Sequence, residues 1–224
     1  SRNSAWPISS TVSPRRSKNV YAGGLLGSIW GNATVTLAGN ATVENVYGCG
    51  RLENQRWYNG SYQEIEPIIN FVKSNSKIQI NDDAKVKDTI YGYLTLANEE
   101  EIYDRAVTGK ATVVFDGNTG NFRRIVNADL VQVTANADTI IDNSKIDNEQ
   151  LVNVADLVID NGGKLHLLAN AHILGNYAGD ADKTGILVMN AGKTLTADGN
   201  VIDLTNISIV DADSVVPKAE QIYI

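Results

Sequence analysis

The chain is poor in reactive side chains. Its 224 residues include one cysteine (Cys49), one methionine (Met189) and two histidines (His166 and His172). A single Cys rules out an internal disulfide and any zinc site built on several thiolates. No P-loop, GxGxxG, HExxH or GxSxG is present, so the common nucleotide, metalloprotease and serine-hydrolase motifs are excluded. His166 and His172 read as surface positions on strands rather than as a proton-transfer pair. No apolar run reaches the ~18 residues that a membrane-spanning helix requires.

Positive charge is also scarce. Lys and Arg number 19 against 26 Asp and Glu, a net charge of -7, which argues against nucleic acid as a partner. The clustered bases Arg15, Arg16 and Lys18 sit in a Pro/Ser-rich opening, and residues 1–18 read as a solvated tail. That opening, SRNSAWP, is what an excised or processed piece would show. Glu is rare at nine residues and proline at four.

Asn (24) and Asp (17) take their place. Both favour turns and left-handed backbone over helix interiors. The chain should therefore be all-β, with short strands joined by compact Asn/Asp/Gly turns.

Two periods run through it. GNATV occurs at residues 31–35 and again at 39–43. The alternation of Ala33, Val35 and Leu37 with Thr34 and Thr36 is that of a half-buried strand. The Gly39-Asn40 pair that follows serves either a hairpin or a corner between two faces. The longer period favours the corner. NVYAGG begins at Asn19 and NVYGCG at Asn45, and a spacing of this length marks stacked units. Val20 should then stack on Val46, and Tyr21 on Tyr47. In the C-terminal half, LVIDNGGKLHL (from Leu157) resembles LVMNAGKTLT (from Leu187), with Gly163-Lys164 and Gly192-Lys193 spaced 29 residues apart. The expected architecture is a right-handed parallel β-helix, a β-solenoid over residues 19–224. Leu165, Leu167, Leu195, Ile207 and Ile209 should face its core.

Two segments, 51–76 and 98–107, interrupt the pattern and are expected to carry short helices. The first helix would run over 65–73, with Pro67 in its first turn. The second would begin at an Asn98 cap, with Glu101 completing a capping box. An N-terminal subdomain over 19–110, followed by a regular β-helix over 111–224, is the other division.

Several residues are candidates for chemistry. Asp180, Asp182 and Thr184, followed by Gly185, alternate oxygen ligands around a bend and suit calcium. Without a bidentate Glu, such a site would be weak, on the order of 10⁻⁴–10⁻³ M. Asp116, Asn118 and Gly120 form a second, poorer loop of this kind. Asp142, Asp156 and Asp160 are acids whose convergence on one face would suit glycoside chemistry. Trp57, Tyr58 and Tyr62 cluster with Arg56 in 51–76, and exposed aromatics beside amides suit sugar stacking or a protein hot spot. The other reading is that they close a satellite core. Sequons at Asn32, Asn40, Asn59 and Asn206 fit chance in an Asn/Thr-rich chain.

The NVYAGG and NVYGCG words resemble the repeats of large bacterial cell-surface proteins. LVIDNGGKLHL is similar to strand-turn-strand units of β-helical adhesins and autotransporter passenger regions. The resemblance implies an extracellular, surface-held protein that attaches to a host or cell-surface glycan or matrix protein. Apart from calcium at the loop above, no cofactor is expected. It supplies no site motif. A β-helical polysaccharide lyase or glycoside hydrolase is the alternative function, and a plain structural spacer is a third.

Overall fold

The computed structural model describes residues 8–12, 16–24, 27–97, 103–142, 146–179, 185–199 and 207–210. Strands form wherever apolar and polar residues alternate. In order they are β1 (Ile8–Val12), β2 (Arg16–Tyr21), β3 (Ala33–Leu37), β4 (Thr42–Tyr47), β5 (Leu52–Tyr58), β6 (Ser61–Ile69) and β7 (Ser76–Asn81). Next come β8 (Lys85–Tyr91), β9 (Thr95–Ala97), β10 (Tyr103–Arg105), β11 (Ala111–Asp116), β12 (Asn121–Val133), β13 (Asp138–Ile141) and β14 (Leu151–Ile159). The last are β15 (Lys164–Leu167), β16 (Ala171–Ile173), β17 (Tyr177–Gly179), β18 (Ile186–Asn190), β19 (Leu195–Ala197) and β20 (Ile207–Val210).

Fourteen strands join in one sheet whose pairings are all parallel. They fall into columns. In the first, Val35, Ile78, Val113, Val131, Leu157 and Tyr177 share one register position, and all six are buried. In the second, Val20, Val46, Ile90, Ile125 and Leu151 share another. A third line, Val43, Val86, Phe122, Ile141, Leu167, Met189 and Ile209, runs beside it. The buried apolar side chains make one continuous core, as period-two burial on stacked strands requires.

The stacking expected of NVYAGG and NVYGCG is present. Asn19 pairs with Asn45, Val20 with Val46 and Tyr21 with Tyr47. A third word, TIYGY, adds Tyr91 beneath Tyr47. The three phenol rings stack with centroids 4.6 and 4.8 Å apart, the spacing of neighbouring strands. The Asn45 amide donates to Asn19 Oδ1 at 3.0 Å, and the Thr89 N–H donates to Asn45 Oδ1. The small residue after each Tyr has a steric cause. A Cβ on Gly48 would stand 2.2 Å from the Gly92 carbonyl oxygen, and one on Gly92 would stand 2.2 Å from that of Asn127.

Asn has its own role at corners. Asn127 and Asn153 hold left-handed backbone (φ 56° and 53°) in the middle of β12 and β14. Each long strand there passes from the second column to the first. The Asn153 amide donates to Asn127 Oδ1 at 2.8 Å, so the corner is itself a ladder. At the GNATV echo, β3 pairs with β1 and β7 while β4 pairs with β2 and β8. Gly39 (φ 61°) is therefore a corner and not a hairpin turn.

Other expectations change. No helix occurs among the described residues. Residues 65–69 lie in β6, and Val72 bridges in parallel to Ile29 and Val107. In the second segment β10 pairs antiparallel with β9, and residues 98–102 lie outside the described set. The expected cap, Asn98 with Glu101, falls in those residues; only 103–105 of the segment are shown as strand instead of helix. Within residues 1–18, β1 and the start of β2 pair with β3 and β4. The 29-residue spacing is not a register. Leu157 belongs to β14, whereas Leu187 pairs with Leu165, so the two words turn different corners. Leu165 and Leu167 are buried and Leu195 partly so. The side chains of Ile207 and Ile209 lie outside the described residues.

Candidate functional site

The segment RLENQRWYNGSYQEIEPII forms one antiparallel hairpin apart from the large sheet. Asn59 and Gly60 both hold positive φ (47° and 82°), the requirement of a type I′ turn. They close a two-residue loop with Tyr58 opposite Ser61 and Trp57 opposite Tyr62. Arg56 stands opposite Gln63, and Gln55 opposite Glu64. The pairing then slips, and Glu53 meets Ile68 and Leu52 meets Ile69. The N-G flanked by aromatic strands was the signal in the sequence for this arm.

The arm is rooted in the stacked strands. The Gly50 N–H donates to the Asn70 carbonyl at 2.9 Å, and the Arg51 N–H to the Gly24 carbonyl at 3.2 Å. The Asn70 amide, nearly buried, donates to the Arg51 carbonyl. A Cβ on Gly50 would meet Asn70 Cβ at 2.5 Å, so the two stems touch where the arm leaves the stack.

The hairpin brings together the four aromatic and basic candidates. Trp57 and Tyr62 are cross-strand partners, with Arg56 and Tyr58 flanking Trp57. Tyr58 is 62% and Tyr62 71% exposed, so neither closes a satellite core. For Arg56 and Trp57 only the backbone is described. Trp30, 72% exposed, is a further surface aromatic that the sequence pattern did not single out.

The metal candidates separate. Asp180, Asp182 and Thr184 lie outside the described residues. The second loop is closed by the protein itself. Asn118 is fully buried, its amide donating to the Asp82 and Ala84 carbonyls and its Oδ1 accepting from the Gly120 N–H and the Thr139 hydroxyl. Asp116 accepts from Gln79 and Thr134. The side-chain oxygens of this loop therefore already serve hydrogen bonds within the protein. Among the described residues no three His, Cys, Asp or Glu side chains gather.

The carboxylates are engaged in separate places. Asp156 accepts from the Asn176 N–H at 2.9 Å and Asp160 from the Gln132 amide at 2.6 Å, while Asp142 is exposed. His166 pairs with Asp138 at 2.6 Å and His172 with Asp198 at 2.9 Å, two strand-surface pairs on different elements. Cys49 is buried, and that burial pushes its thiol up to about 12, which keeps it protonated and unreactive.

One ionic cluster went unnoticed in the sequence. Arg105 grips Asp129 through two N–H groups at 2.6 and 3.1 Å and donates to the Val107 and Gly109 carbonyls. Its guanidinium lies 4.2 Å from the centre of the Tyr93 ring. It ties β10 to β12 and is structural in character. Comparison with protein-family models, with curated protein sequences and with solved structures finds no match to this chain.

Proposed function

We propose that the chain is a right-handed parallel β-helix from a bacterial cell-surface protein. It acts outside the cell as an adhesin or structural piece and contacts a host or cell-surface glycan or matrix protein through the β5–β6 arm. The route of the chain supports the fold. It visits the first column, then the second, and returns to the first one strand further on, as β1, β2, β3, β4, β7 and β8 do. Parallel strands joined by such crossovers are right-handed almost without exception.

The observation that carries the function is the arm. Loops set on a rigid scaffold are where binding concentrates, and this one holds Tyr58 and Tyr62 in solvent. A hot-spot aromatic costs at least about 2 kcal/mol of binding when truncated, roughly thirtyfold in affinity. Trp57→Ala and Tyr62→Ala should each weaken attachment to a glycan or matrix-protein panel by about that factor, with the melting temperature unchanged. Binding that survives both substitutions, or an empty panel with the intact chain, refutes the reading.

A further inference from the structure

The two outer edges of the arm differ. Among the described residues β5 and β6 pair only with each other. The β6 edge is broken, because residues 65–67 are accommodated opposite Asn54 alone and Pro67 has no N–H to offer. β5 runs seven residues without Pro or Gly. The I′ turn makes Tyr58 and Ser61 the hydrogen-bonded closing pair. The alternation of antiparallel pairs then turns the backbone N–H and C=O of Trp57, Gln55 and Glu53 away from β6. Gln55 is the midpoint of the strand.

We propose that this edge is a homodimer interface, with β5 pairing antiparallel to β5 of a second copy about a two-fold axis at Gln55. Two features of the arm favour a second copy over an unrelated strand. A two-fold contact must be self-complementary, and here the register sets Tyr58 opposite the partner's Leu52, twice. Tyr58 and Leu52 are exposed apolar residues at opposite ends of β5, and one symmetry operation covers both. Charges are also compatible, with Arg56 opposite the partner's Asn54 and Trp57 opposite the partner's Glu53. A two-fold at Glu53 would oppose two carboxylates, and one at Trp57 would leave most of the strand unpaired.

Two seven-residue strands bury less than a standard interface, so the dimer belongs to the weak class, on the order of micromolar or weaker. The proposal needs only the arm and stands apart from the adhesin reading. Tyr62, on β6, remains free of the dimer contact, so a dimer would present it twice.

The test is sedimentation of the intact chain from the micromolar to the millimolar range, with three designed changes. Gln55→Pro removes an outward N–H and leaves the β5–β6 bonds in place. It should sediment as a monomer where the parent forms dimers, with an unchanged melt. Gln55→Cys places thiols across the axis, where opposed Cα atoms about 5.5 Å apart suit a disulfide. It should form a covalent dimer on mild oxidation, whereas Asn54→Cys, facing Arg56, should not. The buried Cys49 does not compete. A parent monomeric at every concentration, or equal cross-linking at positions 54 and 55, overturns the proposal.

Discussion

Replacing Asn118 by Ala is the sharpest test of how the stacked strands hold together. Its amide bridges the turn after β7, its own turn after β11 and β13. Not every bond it makes leaves an orphan when cut. The Asp82 carbonyl keeps the Thr119 N–H, and the Thr139 hydroxyl keeps the Asn118 backbone carbonyl. The Ala84 carbonyl and the Gly120 N–H lose their side-chain partner in a buried place. Each buried group left unpaired costs about 1–3 kcal/mol, so Asn118→Ala should lose roughly 2–6 kcal/mol. A water entering the vacated space would bring the cost to the lower end. For a chain of this size each kcal/mol is worth about 2–4 °C, which puts the fall in melting temperature at roughly 10 °C. The assay is a thermal melt followed by circular dichroism, with a urea titration to check that the slope is unchanged. A loss below about 1 kcal/mol would sink the accounting. A melt restored by millimolar calcium would return this loop to the metal reading.

Leu167 is fully buried between Ile141 and Met189, and Leu167→Ala should cost about 2–5 kcal/mol; a near-neutral melt would mean the register is wrong. Burial pushes the Asp129 carboxyl up, but the Arg105 guanidinium and the Ala111 N–H more than offset it and hold the group below its usual 3.8. Its contribution is therefore present above 3.8 and lost as the pH falls through its lower folded value. Asp129→Asn should melt below the parent at neutral pH, with the gap closing only below 3.8; a gap constant with pH would refute this. Burial, reinforced by the neighbouring Tyr21 and Tyr91 phenols, pushes Tyr47 up to about 12. Folding then favours the protonated phenol, so stability should fall as the pH rises from 10 toward 12, and Tyr47→Phe should keep the stack and lessen that fall.

What was legible in the sequence was what recurs in register. Asn19 and Asn45, Val20 and Val46, Tyr21 and Tyr47 repeat because each is the other's neighbour across the sheet, and a Cβ after Tyr47 or Tyr91 has nowhere to go. The third copy was hidden. β8 carries a register shift between the positions facing Val43 and Val46, and the β5–β6 arm lengthens the interval before it. Val86 and Phe122 stack on Val43 without resembling it as words, since the core asks only for an apolar side chain of suitable volume. The 29-residue spacing misled for the converse reason. Strand, Gly turn and strand impose the same local demands at any corner, so Gly163 and Gly192 look alike without being neighbours.

The arm was misread because two local signals competed. Pro67 near the start of 65–73 suggested a first helical turn, while the hairpin signal of Asn59-Gly60, eight residues earlier, was passed over. A turn with φ positive at both residues commits the flanking chain to antiparallel pairing at once, whereas a short helix must pay for nucleation before its first bonds help. The hairpin therefore wins, and Pro67 falls within the irregular stretch of β6, where a missing N–H is tolerated. The same contrast explains why function is harder to read than fold. A residue inside the columns answers to the strands above and below it, and that dependence is what writes periodicity into the sequence. Tyr58 and Tyr62 lie outside those columns, on the separate hairpin. Two tyrosines kept in solvent on a self-paired hairpin contribute little to the core, so no stacked strand writes a period that marks them, and the binding measurements on Trp57→Ala and Tyr62→Ala are the place to look.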